Sequence, residues 1–222
     1  LFPNEPVQWS LSLGFFTSVR GEVTAVAILE EVRFVFTAHE IFIVPGEGID
    51  DNGNGPLGPP LKLPRDGGCI DWRSLVECSI GLFFQLDTDK LYLLPRGGGA
   101  PIWIGQPIRD TLAAFPVITS ATLVKADQTV CFTCNDTGAT TGRILVYDIR
   151  AGAWFVDEPL SAETYRGSCQ YQNRLVLCKG TGAVFQQDTS DTPTTFIPVE
   201  LESGDIFPAG PDGWCSIFGA TL

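Results

Sequence analysis

The sequence predicts an all-β chain folded as a β-propeller, and three observations support this prediction. Apolar and aromatic residues alternate with a period of two in residues 31–46, in two short runs separated by His39 and Glu40. Such alternation is typical of a β-hairpin. The same hairpin pattern returns three times along the chain. Glycine and proline supply 24 and 16 of the 222 residues, which suits a chain that is dense in turns.

The hairpin recurs at a near-constant interval, and this interval predicts blades. The later copies occupy residues 80–95, 129–147 and 174–185. Equivalent positions are marked by Phe36, Phe84, Phe132 and Val176, at steps of 48, 48 and 44 residues. A four-stranded propeller blade takes roughly 40–50 residues. The rival fold is a β-sandwich, whose strands would recur every 8–12 residues or so without this longer period.

Four blades and a partial fifth are expected in this chain. We place them at residues 21–68, 69–117, 118–160, 161–204 and 205–222, after a lead-in at residues 1–20 that resembles the end of a preceding blade. The chain begins at Leu1 and contains no methionine, and four and a fraction blades do not close a ring comfortably. We therefore expect a fragment of a longer protein, with a processed product as the alternative.

Individual segments fit this division. Residues 21–29 predict the innermost strand of the first blade, because they are small and apolar. Residues 46–68 are rich in Gly, Pro, Asp and Asn and predict a long loop. Residues 110–114 are the only stretch that suggests a helical turn, and Pro116 would end it. Residues 143–156 predict a further pair of strands.

The long loop invites a calcium interpretation that its spacing does not favour. It holds the oxygen-bearing residues Asp50, Asp51, Asn52, Asn54 and Asp66. The regular acidic alternation and terminal Glu of an EF-hand loop are missing. Turn chemistry explains the Asp-Asn-Gly-Asn-Gly run without a metal. We therefore predict no metal and no cofactor.

Seven cysteines are spread through the chain, an odd number with no compact disulfide spacing. Cys131 and Cys134 form a CxxC pair, a spacing found in zinc and redox sites. Here Cys131 lies in a predicted strand, so an offset of three directs the two side chains to opposite faces. We predict buried structural thiols in a reducing compartment. No apolar run is long enough for a membrane helix, so we also predict no membrane segment.

Catalytic chemistry is sparse, and we assign no site residues and predict that the chain is not an enzyme. The single histidine, His39, sits at a hairpin tip, where a solvated turn residue is expected rather than a catalytic base. The acidic residues show no pairing in the sequence, so a two-carboxylate glycosidase has no positive support. The Gly97-Gly98-Gly99 run lacks the Lys and Ser/Thr of a phosphate-binding loop.

The aromatic residues at strand spacing predict packing between blades rather than a ligand platform; they are Phe34, Phe36, Phe42, Phe83, Phe84 and Tyr92. A net charge of −12 argues against a protein that reads or wraps DNA, because such proteins carry basic patches. It is compatible with a surface that DNA slides past.

Three phrases of the chain resemble a known family. They are FTAHEIFIV at residues 36–44, GLFFQLDTDKLYLL at residues 81–94 and IGQPIRDTL at residues 104–112, with a GC-to-SLV segment at residues 68–76 between the first two. Together they resemble the tail tube nozzle or hub proteins of short-tailed phages, also known as packaged-DNA stabilisation proteins. The resemblance extends over residues 26–156 and concerns strands and turns, not a catalytic motif.

The resemblance implies a structural virion protein that is assembled in the host cytoplasm. It implies a homo-hexameric ring below the portal and head-to-tail adaptor, with tail fibres or spikes on its outside. The ring would form part of the DNA-ejection conduit and help to retain packaged DNA, without sequence-specific DNA binding. Two alternatives stay open: an interaction-scaffold propeller of cell or phage, and a glycan-binding or glycan-processing propeller. A ring-shaped oligomer would separate the first interpretation from both.

Overall fold

The structure is a computed structural model that describes residues 21–46, 58–64, 67–97, 99–158 and 162–186. All of these residues belong to the first of two compact units, Leu1–Gln187. The second unit, Asp188–Leu222, lies outside the described residues. So do the predicted lead-in at residues 1–20, the partial fifth blade and the last part of the predicted fourth blade.

The described chain is built almost entirely of antiparallel strands. The strands of the first two sheets are β1 Val23–Leu29, β2 Val32–Thr37, β3 Ile41–Val44, β4 Leu61–Lys62, β5 Val76–Cys78, β6 Gly81–Asp87, β7 Lys90–Pro95 and β8 Ile102–Trp103. Those of the last two are β9 Val117–Val124, β10 Thr129–Asn135, β11 Gly142–Asp148, β12 Ala153–Asp157, β13 Tyr165–Tyr171, β14 Arg174–Lys179 and β15 Val184–Gln186. The α-helix is α1 Arg109–Ala114, and 3-10 turns span Trp72–Ser74 and Gln106–Ile108.

These strands form four sheets, each made of neighbours in sequence. Strands β1 to β4 form sheet A, β5 to β8 sheet B, β9 to β12 sheet C and β13 to β15 sheet D. Every pairing is antiparallel. Consecutive four-stranded meanders of this kind are the unit of a propeller. The all-β, propeller-like prediction is therefore confirmed.

The repeating hairpin of the sequence is the central strand pair of each sheet. Phe36 lies opposite Ile41, Phe84 opposite Tyr92 and Phe132 opposite Leu145. The fourth marker, Val176, lies in β14 opposite Gln186. All four markers thus fall on the second strand of their sheet, which is why the steps between them are nearly equal.

Sheets B and C are buried on both faces, and this explains their continuous apolar runs. In β6, Leu82 and Phe84 pack in one cluster with Phe36 of sheet A. The intervening Phe83 packs in another cluster with Phe132 of sheet C. A strand covered on both faces loses the apolar–polar alternation that a half-exposed strand keeps. The sheets therefore pack in series, not as the two layers of a sandwich.

Aromatic pairs join the sheets across these cores. The ring centroids of Phe36 and Phe84 lie 5.4 Å apart between sheets A and B. Those of Phe83 and Phe132 lie 5.9 Å apart between sheets B and C. Distances in this range favour tilted aromatic contacts. The prediction that the strand aromatics pack between blades is confirmed for five residues, which lie in the cores between neighbouring sheets: Phe34, Phe36, Phe83, Phe84 and Tyr92. Phe42 is buried too, but it is a member of neither of these cores.

Local elements agree with the sequence in some places and add to it in others. The helical turn predicted at residues 110–114 is α1, whose Leu112 is fully buried in the core between sheets B and C. The strand pair predicted in residues 143–156 is β11 and β12. The predicted loop at residues 46–68 contains the short strand β4, which pairs with β3 through Phe42 and Ile43. Sequence alternation did not show β4 because two residues are too few to alternate.

Candidate functional site

The hairpin tip that carries His39 borders a surface depression of about 500 Å³. His39 is exposed, and its carbonyl accepts a hydrogen bond from the Gly67 N–H at 2.9 Å. The neighbouring Glu40 forms an ion pair with Lys62 at 2.7 Å. The lining residues include threonines but neither Ser nor Cys. Among the described residues, this depression does not bring His39 together with the nucleophile that a Ser-His-Asp or Cys-His site requires.

The CxxC cysteines point to opposite faces of sheet C, as the strand spacing predicted. Cys131 packs in the core between sheets C and D with Val124 and Tyr165. Cys134 packs in the core between sheets B and C. Burial raises the pKa of Cys131 to about 11 and that of Cys134 to about 12. Both are therefore neutral thiols near pH 7 and poor nucleophiles.

The described residues contain no cluster of His, Cys, Asp or Glu that could hold a metal ion. The oxygen-rich loop residues Asp50 to Asn54 and Asp66, on which the calcium interpretation rested, lie outside the described residues. The same is true of Gly98, at the centre of the triple-glycine run. No helix in the described part of the chain is long and apolar enough to cross a bilayer.

Several carboxylates serve as turn caps. Asp136 accepts hydrogen bonds from the Thr140 hydroxyl at 2.5 Å and from the Thr140 and Thr141 N–H groups. These bonds, that of the Thr140 hydroxyl first, lower its pKa. Asp148 accepts from the N–H groups of Arg150 and Ala151, and these bonds lower its pKa too. A general acid needs a raised pKa, so neither residue has the properties of one.

Polar groups near the end of the second strand of sheets A, B and C form hydrogen bonds to the chain that leads into the next sheet. Gln85 donates from Nε2 to the carbonyl of Pro116 at 3.0 Å, and Pro116 directly precedes β9. Asn135 donates from Nδ2 to the Tyr165 carbonyl at 2.8 Å and accepts from the Tyr165 N–H at 2.9 Å. In sheet A the backbone carbonyl of Thr37 accepts from the Cys69 N–H at 2.9 Å. The connection to the next sheet is thus hydrogen-bonded at the same position, the end of the second strand, in each of these three sheets.

A polar layer lies between the first strands of sheets C and D. Ser168 of β13 is within 2.7 Å of the Ser120 hydroxyl and within 2.8 Å of the Thr122 hydroxyl, both in β9. Ser120 is in turn 2.6 Å from the Thr133 hydroxyl of β10. The neighbouring junctions carry aromatic pairs in their cores, so this junction depends more on hydroxyl bonds and on Asn135.

A second depression, of about 460 Å³, opens at one end of sheets C and D. Its lining includes Glu163, Lys179 and Phe185. The sequence does not mark these residues as neighbours, because Glu163 meets Lys179 and Phe185 only once the strands of sheet D pair.

Comparison with known proteins identifies no family for this chain. No protein-family model matches the chain, and no curated protein matches it. Among solved structures, it is similar to the computationally designed Ika4 protein, with a TM-score of 0.44 and 16% sequence identity over 77% of this chain and 92% of that chain. At this level of similarity, function has to be argued from the residues of the chain itself.

Proposed function

We propose that this chain is a subunit of the tail nozzle or hub of a short-tailed phage, a structural virion protein of the DNA-ejection conduit. The observation that carries the proposal is where the phage-like phrases fall. The phrase at residues 36–44 runs from the end of β2 to the end of β3, and that at residues 81–94 spans β6 and β7. Both are the central hairpin of a blade-like sheet. The third phrase, at residues 104–112, leads through α1 into sheet C.

The chemistry of the described residues supports a role without turnover. Cys69, Cys78, Cys131 and Cys134 are buried thiols whose pKa values are raised by burial. His39 lies on the surface without a nucleophile in its depression. The buried side chains of Gln85 and Asn135 are bonded to the backbone that leads into the next sheet. They hold the fold together, and we propose no catalytic residue.

The charge supports the passage of DNA rather than its capture. Affinity for DNA comes mainly from cations that neutralise phosphates. The chain has 26 acidic and 14 basic residues, and ten ion pairs involve basic residues of the described part. A conduit with this balance repels phosphate, so DNA does not adhere to its wall.

In this proposal six copies form a ring under the portal and adaptor, and fibres or spikes attach to the outside of the ring. The proposal places the protein in the virion tail after assembly in the host cytoplasm. In such a ring the DNA passes along the axis between the six subunits, and not through the centre of any one propeller.

Light scattering of the purified protein, with and without a purified portal–adaptor complex, tests the proposal. We expect a defined complex in which the added mass is six subunits. The portal without its adaptor is the matched control, and we expect no complex with it. A protein that stays monomeric and does not bind the adaptor would contradict the proposal. The interaction-scaffold alternative would then take its place.

A further inference from the structure

The depression at the junction of sheets C and D is built by three separate segments of the chain. The tip between β10 and β11 contributes Ala139 and Thr140, and the connection into β13 contributes residues 162–164. The end of β14 and the turn into β15 contribute residues 179–181 and Ala183, and Phe185 of β15 completes the lining. Its volume of about 460 Å³ lies within the usual range for small-molecule sites.

The walls of this depression are held in place before any ligand arrives. Asp136 fixes the β10–β11 tip through its bonds to Thr140 and Thr141. Gly180 donates from its N–H to the Thr164 carbonyl at 2.7 Å. A Cβ at Gly180 would lie 1.9 Å from Thr164 Oγ1, so any larger residue at this position would displace the Thr164 side chain. A preformed wall lowers the entropic cost of binding.

The polar groups in the depression suit a ligand without net charge. Among the described residues of the lining, Glu163 is the only carboxylate and Lys179 the only cation, and the two form an ion pair. The Glu163 side chain is 23% exposed and the Lys179 side chain 20% exposed, so the ion pair is largely shielded from solvent. Because each charge is already balanced by the other, an ionic ligand would have to break the pair. The chain's net charge of −12 further disfavours an anion.

The remaining lining supplies an apolar ring and hydroxyl groups. Phe185 is 47% exposed, although burying a phenyl ring is strongly favourable. The Lys179 ammonium lies 4.0 Å from the centroid of that ring, which fixes the ring relative to the ion pair. Thr140, Thr164 and Thr181 contribute hydroxyl-bearing side chains to the lining, and its three alanines contribute small apolar ones.

We propose that this depression binds a neutral sugar ring of a saccharide. A pyranose has an apolar face of C–H groups for Phe185 and a rim of hydroxyls for the threonines, Glu163 and Lys179. Its hydroxyls donate to the carboxylate and accept from the ammonium without disturbing the ion pair. We propose that the site binds without hydrolysing, since glycosidases use two carboxylates and the described residues of the lining include no carboxylate besides Glu163. The inference does not depend on the proposed tail function.

The test is saturation-transfer NMR of the whole protein with four probes. The probes are the methyl pyranosides of glucose, galactose and mannose, and maltose. We expect saturation transfer to at least one probe, strongest at the C–H protons of one ring face. Phe185→Ala should weaken that binding at least tenfold. Phe155→Ala is the matched control, because Phe155 is a 56% exposed ring on the outermost strand of sheet C and lies outside this depression.

A second variant separates loss of binding from loss of fold. Thr181→Val keeps the size of a side chain exposed in the β14–β15 turn and removes one hydroxyl. We expect it to weaken binding while circular dichroism stays unchanged. Absence of saturation transfer from all four probes would overturn the proposal. So would equal binding by Phe185→Ala and the unaltered protein, or stronger binding of methyl glucuronide or adenosine than of every neutral sugar.

Discussion

Asn135 bonds to both backbone polar groups of Tyr165, thirty residues further along the chain. Its amide nitrogen donates to the Tyr165 carbonyl at 2.8 Å, and its amide oxygen accepts from the Tyr165 N–H at 2.9 Å. Asn135 ends β10 and Tyr165 begins β13, so one side chain takes the place of a strand neighbour for the first residue of sheet D. Both residues are buried, and water cannot easily replace these bonds.

Replacing Asn135 by leucine should lower the free energy of unfolding by about 2–4 kcal/mol, since it leaves two buried backbone groups without partners at about 1–3 kcal/mol each. Urea unfolding measures the change. Gln106→Ala is the control, because Gln106 is exposed and no bond of its side chain is seen; it should change stability by less than about 0.5 kcal/mol. An Asn135→Leu protein as stable as this control would show that the bond pair does not hold sheet D.

Phe84 should be among the most sensitive positions of the core. It is fully buried between sheets A and B and contacts the rings of Phe36 and Tyr92. We expect Phe84→Ala to cost about 3–5 kcal/mol because it leaves a cavity. Denaturant unfolding followed by fluorescence measures this loss. Phe155→Ala removes the same group from an exposed site and should cost less than about 1 kcal/mol; equal losses would contradict the packing in series.

Two glycines should differ strongly in how much their replacement by alanine changes stability. At Gly68 an added Cβ would lie 1.8 Å from the Thr37 carbonyl oxygen, so the connection into sheet B would have to move. At Gly167 an added Cβ meets nothing within 4 Å, and alanine reduces the entropy of the unfolded chain. We expect Gly68→Ala to destabilise by more than about 2 kcal/mol and Gly167→Ala to change stability by under about 1 kcal/mol in either direction. Thermal unfolding of the two variants provides the comparison.

Stability should fall at alkaline pH because of the buried thiols. Burial raises the pKa of Cys131 from 9.0 to about 11 and that of Cys134 from 9.0 to about 12. Between pH 9.0 and these raised pKa values, the two thiols lose their protons in the unfolded chain and keep them in the folded chain. Folding therefore becomes less favourable as pH rises. The stabilising contribution is complete below about pH 9 and is lost as pH rises through 11 and 12.

Urea midpoints measured from pH 7 to pH 11 test this dependence. Cys134→Val removes one of the two thiols and should make the decrease above pH 9 shallower. Cys169→Val is the matched control, since Cys169 is exposed, and it should leave the slope unchanged. A Cys134→Val protein with the same slope as the control would show that this thiol does not titrate as its burial requires.

The sequence predicted the parts of the fold that depend on local alternation. The central hairpin of each sheet was visible because Phe36, Phe84 and Phe132 recur with strand periodicity. The short outer strand β4 was missed because it follows two prolines, and its two residues, Leu61 and Lys62, are too few to show the two-residue alternation of a strand. The burial of Cys131 and Cys134 on opposite faces followed directly from their offset.

The junctions and the depression could not be predicted in the same way. Asn135 and Tyr165, or Gln85 and Pro116, are thirty or more residues apart, and nothing local marks them as partners. Glu163 and Lys179 meet only because β13 and β14 pair. Side chains that act across sheets depend on how the sheets pack, and a period along the chain carries no information about that packing.

Negative-stain imaging of the purified protein, alone and with the portal–adaptor complex, is the sharpest test of the proposed ring. We expect rings with a central channel, formed either by the protein alone or on the adaptor. Sixfold averages of end-on views would match six subunits around that channel. A compact single particle without a channel, unchanged by the adaptor, would contradict the proposed tail conduit.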